Sequence, residues 1–156
     1  MEIVIGIGEY TISNNVQGSI KTYALASCVA LTAYNPSRKV GGMIHIALPY
    51  ITDVKLSKAR PGYFATTGVP LLINKLCNEF GCVKGELIIN MYGGAESINK
   101  RDVFNIGKRN IVAVKDVLTS LNLKINHAEV GGIVSRTIQL DISSGRVEIF
   151  TQPIRI

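Results

Sequence analysis

Cysteine is scarce in this chain, charge is thin, and long apolar runs are missing. The three cysteines, Cys28, Cys77 and Cys82, cannot all pair and show no framework spacing. A disulfide scaffold is therefore excluded, and reduced thiols in a reducing compartment are expected. Zinc would want further Cys or His at ligand spacing, which the two histidines of the chain do not supply, so no metal is expected. Charged residues make up 18%, below the usual ~25%, which speaks against a disordered or solvating protein. No run of ~18 apolar residues occurs, so no membrane insertion is expected. The segment Met1 to Tyr10 lacks a basic region ahead of its short apolar run. No secretory leader is expected, and the cytoplasm is the expected location. Aromatic residues, at 6%, do not interleave with basic ones, and the net charge of +6 is spread along the chain. Nucleic acid is thus not an expected partner, whereas an acidic protein is allowed.

What is present is enough for one core. A chain of 156 residues buries roughly 70% of its unfolded surface and needs no staple. Without repeats or linker-like shifts in composition, residues 1–156 read as a single domain. β-Branched runs predict strands at Ile3 to Ile7, Ser19 to Tyr23, Cys28 to Tyr34 and Val40 to Ala47. Four more follow at Leu87 to Met91, Ile125 to Glu129, Thr137 to Asp141 and Val147 to Phe150. Helical spacing runs from Val69 through Leu72, Ile73, Leu76 and Phe80, with Gly81 as its stop. A second helix follows Asn105, repeating at Ile106, Asn110, Ala113, Val114, Val117, Leu118 and Leu121. Strands outnumber helices without alternating with them. The expected class is α+β, helices flanking a mainly antiparallel sheet system.

Two turns can be placed, Asn35-Pro36-Ser37-Arg38 and Ser143-Ser144-Gly145. The first sets up the chemistry. A four-residue loop pairs Tyr34 with Lys39 and sets Cys28 opposite His45, Cβ atoms roughly 4.5–5.5 Å apart. A five-residue loop would set Ile46 opposite Cys28 and turn His45 to the other face. A thiol beside an imidazole is an activated nucleophile, because imidazolium stabilises thiolate. Thr22 has the parity of Cys28 in an extended chain, and its hydroxyl could orient the ring of His45 if its strand lies alongside. Ser27 and the backbone N–H of Cys28 stand where oxyanion donors would lie. Against this, thiols on apolar strands are usually inert, and both residues also suit plain core.

Ala26-Ser27-Cys28-Val29-Ala30 followed by Val40-Gly41-Gly42-Met43-Ile44-His45-Ile46-Ala47-Leu48-Pro49 resembles the CheD chemoreceptor glutamine deamidases. The likeness continues, collinear over nearly the whole chain, through Tyr92-Gly93-Gly94-Ala95 and Ile106-Gly107-Lys108-Arg109-Asn110. It extends to Gly131-Gly132 with Arg136 and to Ser144-Gly145-Arg146-Val147. Thr22, Cys28 and His45 match the family's catalytic positions, while Ala26 stands where the family more often has Gly. The resemblance implies hydrolysis of glutamine side-chain amides on methyl-accepting chemoreceptors, without metal or organic cofactor. It also implies a CheC-type phosphatase as partner, and an α/β sandwich similar to glutamine-deamidating toxin domains. An interaction protein that only binds and stimulates such a phosphatase is the alternative. For Gly93 and Gly94 two readings stand: a lining of the substrate or oxyanion groove, or a tight turn alone.

Other motifs lead elsewhere. Gly6 and Gly8 invite a dinucleotide loop, but Thr11 occupies the third glycine position and no helix pattern follows. Gly107-Lys108 lacks the upstream glycine of a phosphate loop, where Asp102 stands. Cys77 reads as core, and His127 as an exposed strand residue. Lys100, Arg101, Lys108, Arg109 and Lys115 form a solvated face or a docking surface for an acidic protein.

Overall fold

A computed structural model of the chain describes residues 1–97 and 104–154. Lys100, Arg101 and Asp102 lie outside the described residues. The elements in chain order are β1 (Glu2–Val4), β2 (Tyr10–Ser13), β3 (Ser19–Leu25), β4 (Val29–Asn35), β5 (Val40–Ile46), α1 (Val54–Ala59) and α2 (Ala65–Phe80). They continue with β6 (Ile88–Gly93), α3 (Ile106–Ser120), β7 (His127–Val130), β8 (Val134–Asp141) and β9 (Val147–Pro153). The strands form a four-stranded sheet, β1-β3-β8-β9, and a five-stranded sheet, β2-β5-β4-β6-β7. Pairing is antiparallel except for β1 with β3 and β6 with β7. The α+β class and its antiparallel bias are as the sequence predicts.

Side-chain alternation on the larger sheet explains the layering. Val29, Leu31 and Ala33 of β4, with Ile44 and Ile46 of β5, pack against Val69, Leu72, Ile73 and Leu76 of α2 and Val114 and Leu118 of α3. The other face, with Ala30 and Met43, meets Ile20, Leu25, Ile138 and Leu140 of the smaller sheet. The order is helices, larger sheet, smaller sheet. Each fully buried aliphatic side chain in these layers contributes roughly 1.5–3 kcal/mol. Because β4 and β5 are covered on both faces, they are buried along their whole length. That is why they read as continuous apolar runs rather than as alternating strands.

Two helical features depart from expectation. α2 begins at Ala65, a turn before Val69, and carries Pro70 inside it; Gly81 ends it in the left-handed conformation, its N–H on the Leu76 carbonyl. Asn105 does precede α3, but at φ 49°, outside the extended region from which a side chain caps.

The hairpin between β4 and β5 also differs in register. Its closing pair is Asn35 with Val40, leaving Pro36 to Lys39 as the loop, so Ala30 and not Cys28 lies opposite His45. Asn35 Oδ1 accepts from the Ser37 and Arg38 N–H groups at 3.0 and 3.1 Å, an Asx turn that holds Asn35 in the strand. Lys39 then reverses the chain at φ 53°, a conformation that nothing about lysine advertises. Ser143, Ser144 and Gly145 form the expected turn between β8 and β9, closed by Gly145 N–H on the Asp141 carbonyl at 2.8 Å.

Candidate active site

The register slip moves the pairing by two residues, so it preserves the face. Cys28, one residue ahead of β4, has the parity of Ala30 and sits diagonally from His45 on the side that faces the smaller sheet. Diagonal neighbours on a sheet lie roughly 7–8 Å apart, their Cβ atoms somewhat closer, a span that aromatic and long side chains can bridge. Both sequence-derived registers are therefore replaced by a third, while thiol and imidazole remain on one face.

Thr22 reaches His45 by another route than strand parity. The chain from Thr22 to Cys28 is not extended: β3 bulges between Thr22 and Leu25 against β8, with Ala24 at φ 55°. Bends at Ala26 and Ser27 then carry the chain across to the larger sheet. Thr22 consequently meets His45 across the sandwich, Oγ1 to Nδ1 at 2.7 Å. The same hydroxyl donates to the Ile5 carbonyl at 2.8 Å. A hydroxyl has one proton, so the imidazole must be the donor in the shorter contact. This arrangement assigns the proton to Nδ1 and leaves the lone pair on Nε2, which is buried without a hydrogen-bond partner. The His45 backbone is held as well, N–H to the Glu9 carbonyl and C=O to the Gly8 N–H. The Gly6–Gly8 turn thus serves the histidine rather than a nucleotide.

The electrostatics differ from the ion pair anticipated above. Burial lowers the His45 pKa to about 4, a shift only partly opposed by Glu9. Burial also raises the Cys28 thiol above its ordinary value. Desolvation penalises both charged forms, so the resting pair is neutral thiol and neutral imidazole. Such an imidazole is a base with its lone pair available throughout the neutral range.

Backbone anchors immobilise the nucleophile loop. The Ala26 carbonyl accepts from Ala95 N–H at 2.7 Å and the Cys28 carbonyl from Gly94 N–H at 2.8 Å. Ser27 O accepts from Asn110 Nδ2 at 2.9 Å. Gly93 and Gly94 have φ of 103° and 64°. A Cβ on Gly93 would overlap the Cys28 carbonyl, and one on Gly94 would fall 2.5 Å from Ile111 Cγ1. They therefore act as the bed on which Cys28 lies. The Gly94 N–H is engaged by Cys28 O and is not a free donor. Arg136, buried in β8, steadies this bed by donating to the Gly131 carbonyl at 2.9 Å and to Gly93 O at 3.4 Å. It also faces Glu129 at 3.4 Å. Ala26, in place of glycine, does not have a positive φ; Ala24 does. A groove of about 620 Å³, lined by Ala26, Ser135, Gln152, Pro153 and Ile154, opens beside the loop.

The remaining cysteines sit apart from this cluster. Cys82 is buried and Cys77 half-buried against the helix-side core. His127 is exposed at the start of β7. Among the described residues no three His, Cys, Asp or Glu side chains gather into a metal-binding group.

A sequence model of the family described as CheD chemotactic sensory transduction matches residues 47–151. A relative from Syntrophotalea carbinolica, named a probable chemoreceptor glutamine deamidase CheD, is 44% identical over 95% of this chain and 93% of its own. The chain belongs to the CheD family. Like-named relatives from Syntrophus aciditrophicus and Pyrococcus abyssi are 38% and 35% identical, over 94% and 95% of this chain and 91% and 90% of theirs. A crystal structure of the hypothetical protein YfiH from Bacillus licheniformis overlaps at a TM-score of 0.49 and 11% identity, over 78% of this chain and 49% of that one. Among the described residues of this CheD chain no helix is long and apolar enough to cross a membrane.

In a CheD protein built this way, Thr22→Val keeps the shape of the buried residue but removes the acceptor that holds the Nδ1 proton. We expect deamidation to fall ~10–100-fold with little change in KM, as for lost partners that orient a ligand histidine. Steady-state kinetics on a receptor fragment would check this; a variant within twofold of wild type would show that the hydroxyl does not set the tautomer.

Proposed function

We propose that this protein hydrolyses glutamine side-chain amides on chemoreceptors, using Cys28 as nucleophile, His45 as proton carrier and Thr22 as the group that orients His45. The observation that carries the reading is the Thr22–His45 contact, which leaves an unprotonated Nε2, without a hydrogen-bond partner, on a side chain that shares its sheet face with Cys28. His45 takes the thiol proton as Cys28 Sγ bonds to the carboxamide carbon. The tetrahedral oxyanion is met by the Cys28 N–H. The imidazolium returns its proton to the nitrogen, the C–N bond breaks, and ammonia leaves a thioester on Sγ. Nε2 then draws a proton from water, whose oxygen bonds to the acyl carbon. The C–S bond breaks, releasing glutamate, and the imidazolium hands its proton to Sγ, restoring the thiol.

The names of the relatives favour deamidation over a role confined to binding a phosphatase. Within the same reading a CheC-type phosphatase is a second partner and the cytoplasm is the site of action. Incubation with chemoreceptor cytoplasmic fragments, followed by peptide mass mapping, should reveal glutamines converted to glutamates. Fragments recovered unchanged at every glutamine after prolonged incubation would defeat the proposal.

A further inference from the structure

Asn110 is wholly buried on α3, in the apolar stripe that faces the larger sheet. Its Nδ2 donates to two carbonyls just outside neighbouring strands, Ser27 O before β4 at 2.9 Å and Ala47 O after β5 at 3.0 Å. Flipping the amide would set Oδ1 against both carbonyls, so its orientation is determined. That leaves Oδ1 buried without a hydrogen-bond partner.

The Ser27 carbonyl and the Cys28 N–H share one peptide plane. The chain has no cis peptide bond among its described residues, so the two groups point in opposite directions. Drawing the carbonyl toward α3 therefore aims the Cys28 N–H away from α3. The flanking carbonyls of Ala26 and Cys28 are held by backbone N–H groups; only this middle one is held by a side chain. The second bond, to Ala47, ties the same amide to the chain two residues beyond His45.

We propose that Asn110 is a positioning residue for deamidation: by gripping Ser27 O it locks the Ser27–Cys28 peptide so that the Cys28 N–H meets the developing oxyanion. The inference rests on the functional reading above. Its consequence is a split between two reactions of the same thiol. Amide hydrolysis passes through an oxyanion, whereas alkylation by iodoacetamide displaces iodide at a CH₂ group and forms none.

Asn110→Asp, which keeps the volume and loses both donors when ionised, and Asn110→Ala, which loses the whole amide, form the test pair. Each is compared with wild type for deamidation of a receptor fragment and for Cys28 alkylation, with rates normalised to the folded fraction. We expect kcat to fall on the order of 10²-fold, as when an oxyanion donor is misaligned, with KM and alkylation rate within about threefold of wild type. A kcat within threefold of wild type in either folded variant overturns the inference, as does a loss of alkylation that parallels the loss of deamidation. A wild-type chain that converts no receptor glutamine defeats the functional reading and this inference with it. An active wild type with unaffected Asn110 variants defeats this inference alone.

Discussion

Cys28→Ala should abolish deamidation, a loss on the order of 10⁴-fold or more, while leaving the thermal midpoint within a few degrees. Cys28 is half-buried at the border of the inter-sheet core, and losing one sulfur there opens little space. Cys28→Ser should do nearly as badly, and the reason lies in the base. An imidazole whose pKa is depressed to about 4 is weak. It can accept a proton from a thiol as the thiol attacks, but is poorly matched to a hydroxyl several pKa units less acidic. Peptide mass mapping of fragments treated with each variant gives the answer. Glutamate formation by Cys28→Ala at the wild-type rate would remove the thiol from the mechanism.

The second large effect is on acid stability, and it comes from the same desolvated ring. His45 has its ordinary value of 6.5 in the unfolded chain and about 4 when folded. Between those values the unfolded chain binds the extra proton, so stability rises with pH across the window. The contribution is fully present above pH ~6.5 and is lost as pH falls toward ~4, amounting to about 3 kcal/mol. His45→Gln carries no such proton. Its urea midpoint should therefore change less than wild type's between pH 7 and pH 4.5, although it is lower than wild type's at neutral pH. Parallel curves for the two proteins would mean that His45 titrates alike in both states.

How much of this was legible depended on which residues speak locally. The strands from Val29 and from Val40 follow from apolar runs, while the shared face of Cys28 and His45 was one of two open registers until the even loop of Pro36 to Lys39 decided it. The exact partner of His45 was hidden, because Asn35 closes an Asx turn from within the strand and Lys39 adopts a left-handed conformation. β2 left little trace in a short stretch that is mostly half-buried, and α1 buries no residue and so has no stripe to read. Thr22 was found through a parity the folded chain does not keep; the bulge at Ala24 and the crossing between sheets depend on β8, far along the sequence. Asn110 did leave a signal, a lone amide on an otherwise apolar stripe, but its two carbonyl partners come from tertiary packing.

The bulge that brings Thr22 to His45 also dictates when the site can exist. Ala24 N–H is held by Thr137 Oγ1 across a separation of 113 residues, and β3 lies between β1 and a strand synthesised near the end of the chain. A contact of such sequence separation raises contact order, and folding of the domain is expected to be slower for it. A nascent chain thus carries Thr22, Cys28 and His45 well before the strand that fixes the bulge beside Thr22. The bulge beside the aligned hydroxyl is complete only when both edges of β3 are paired.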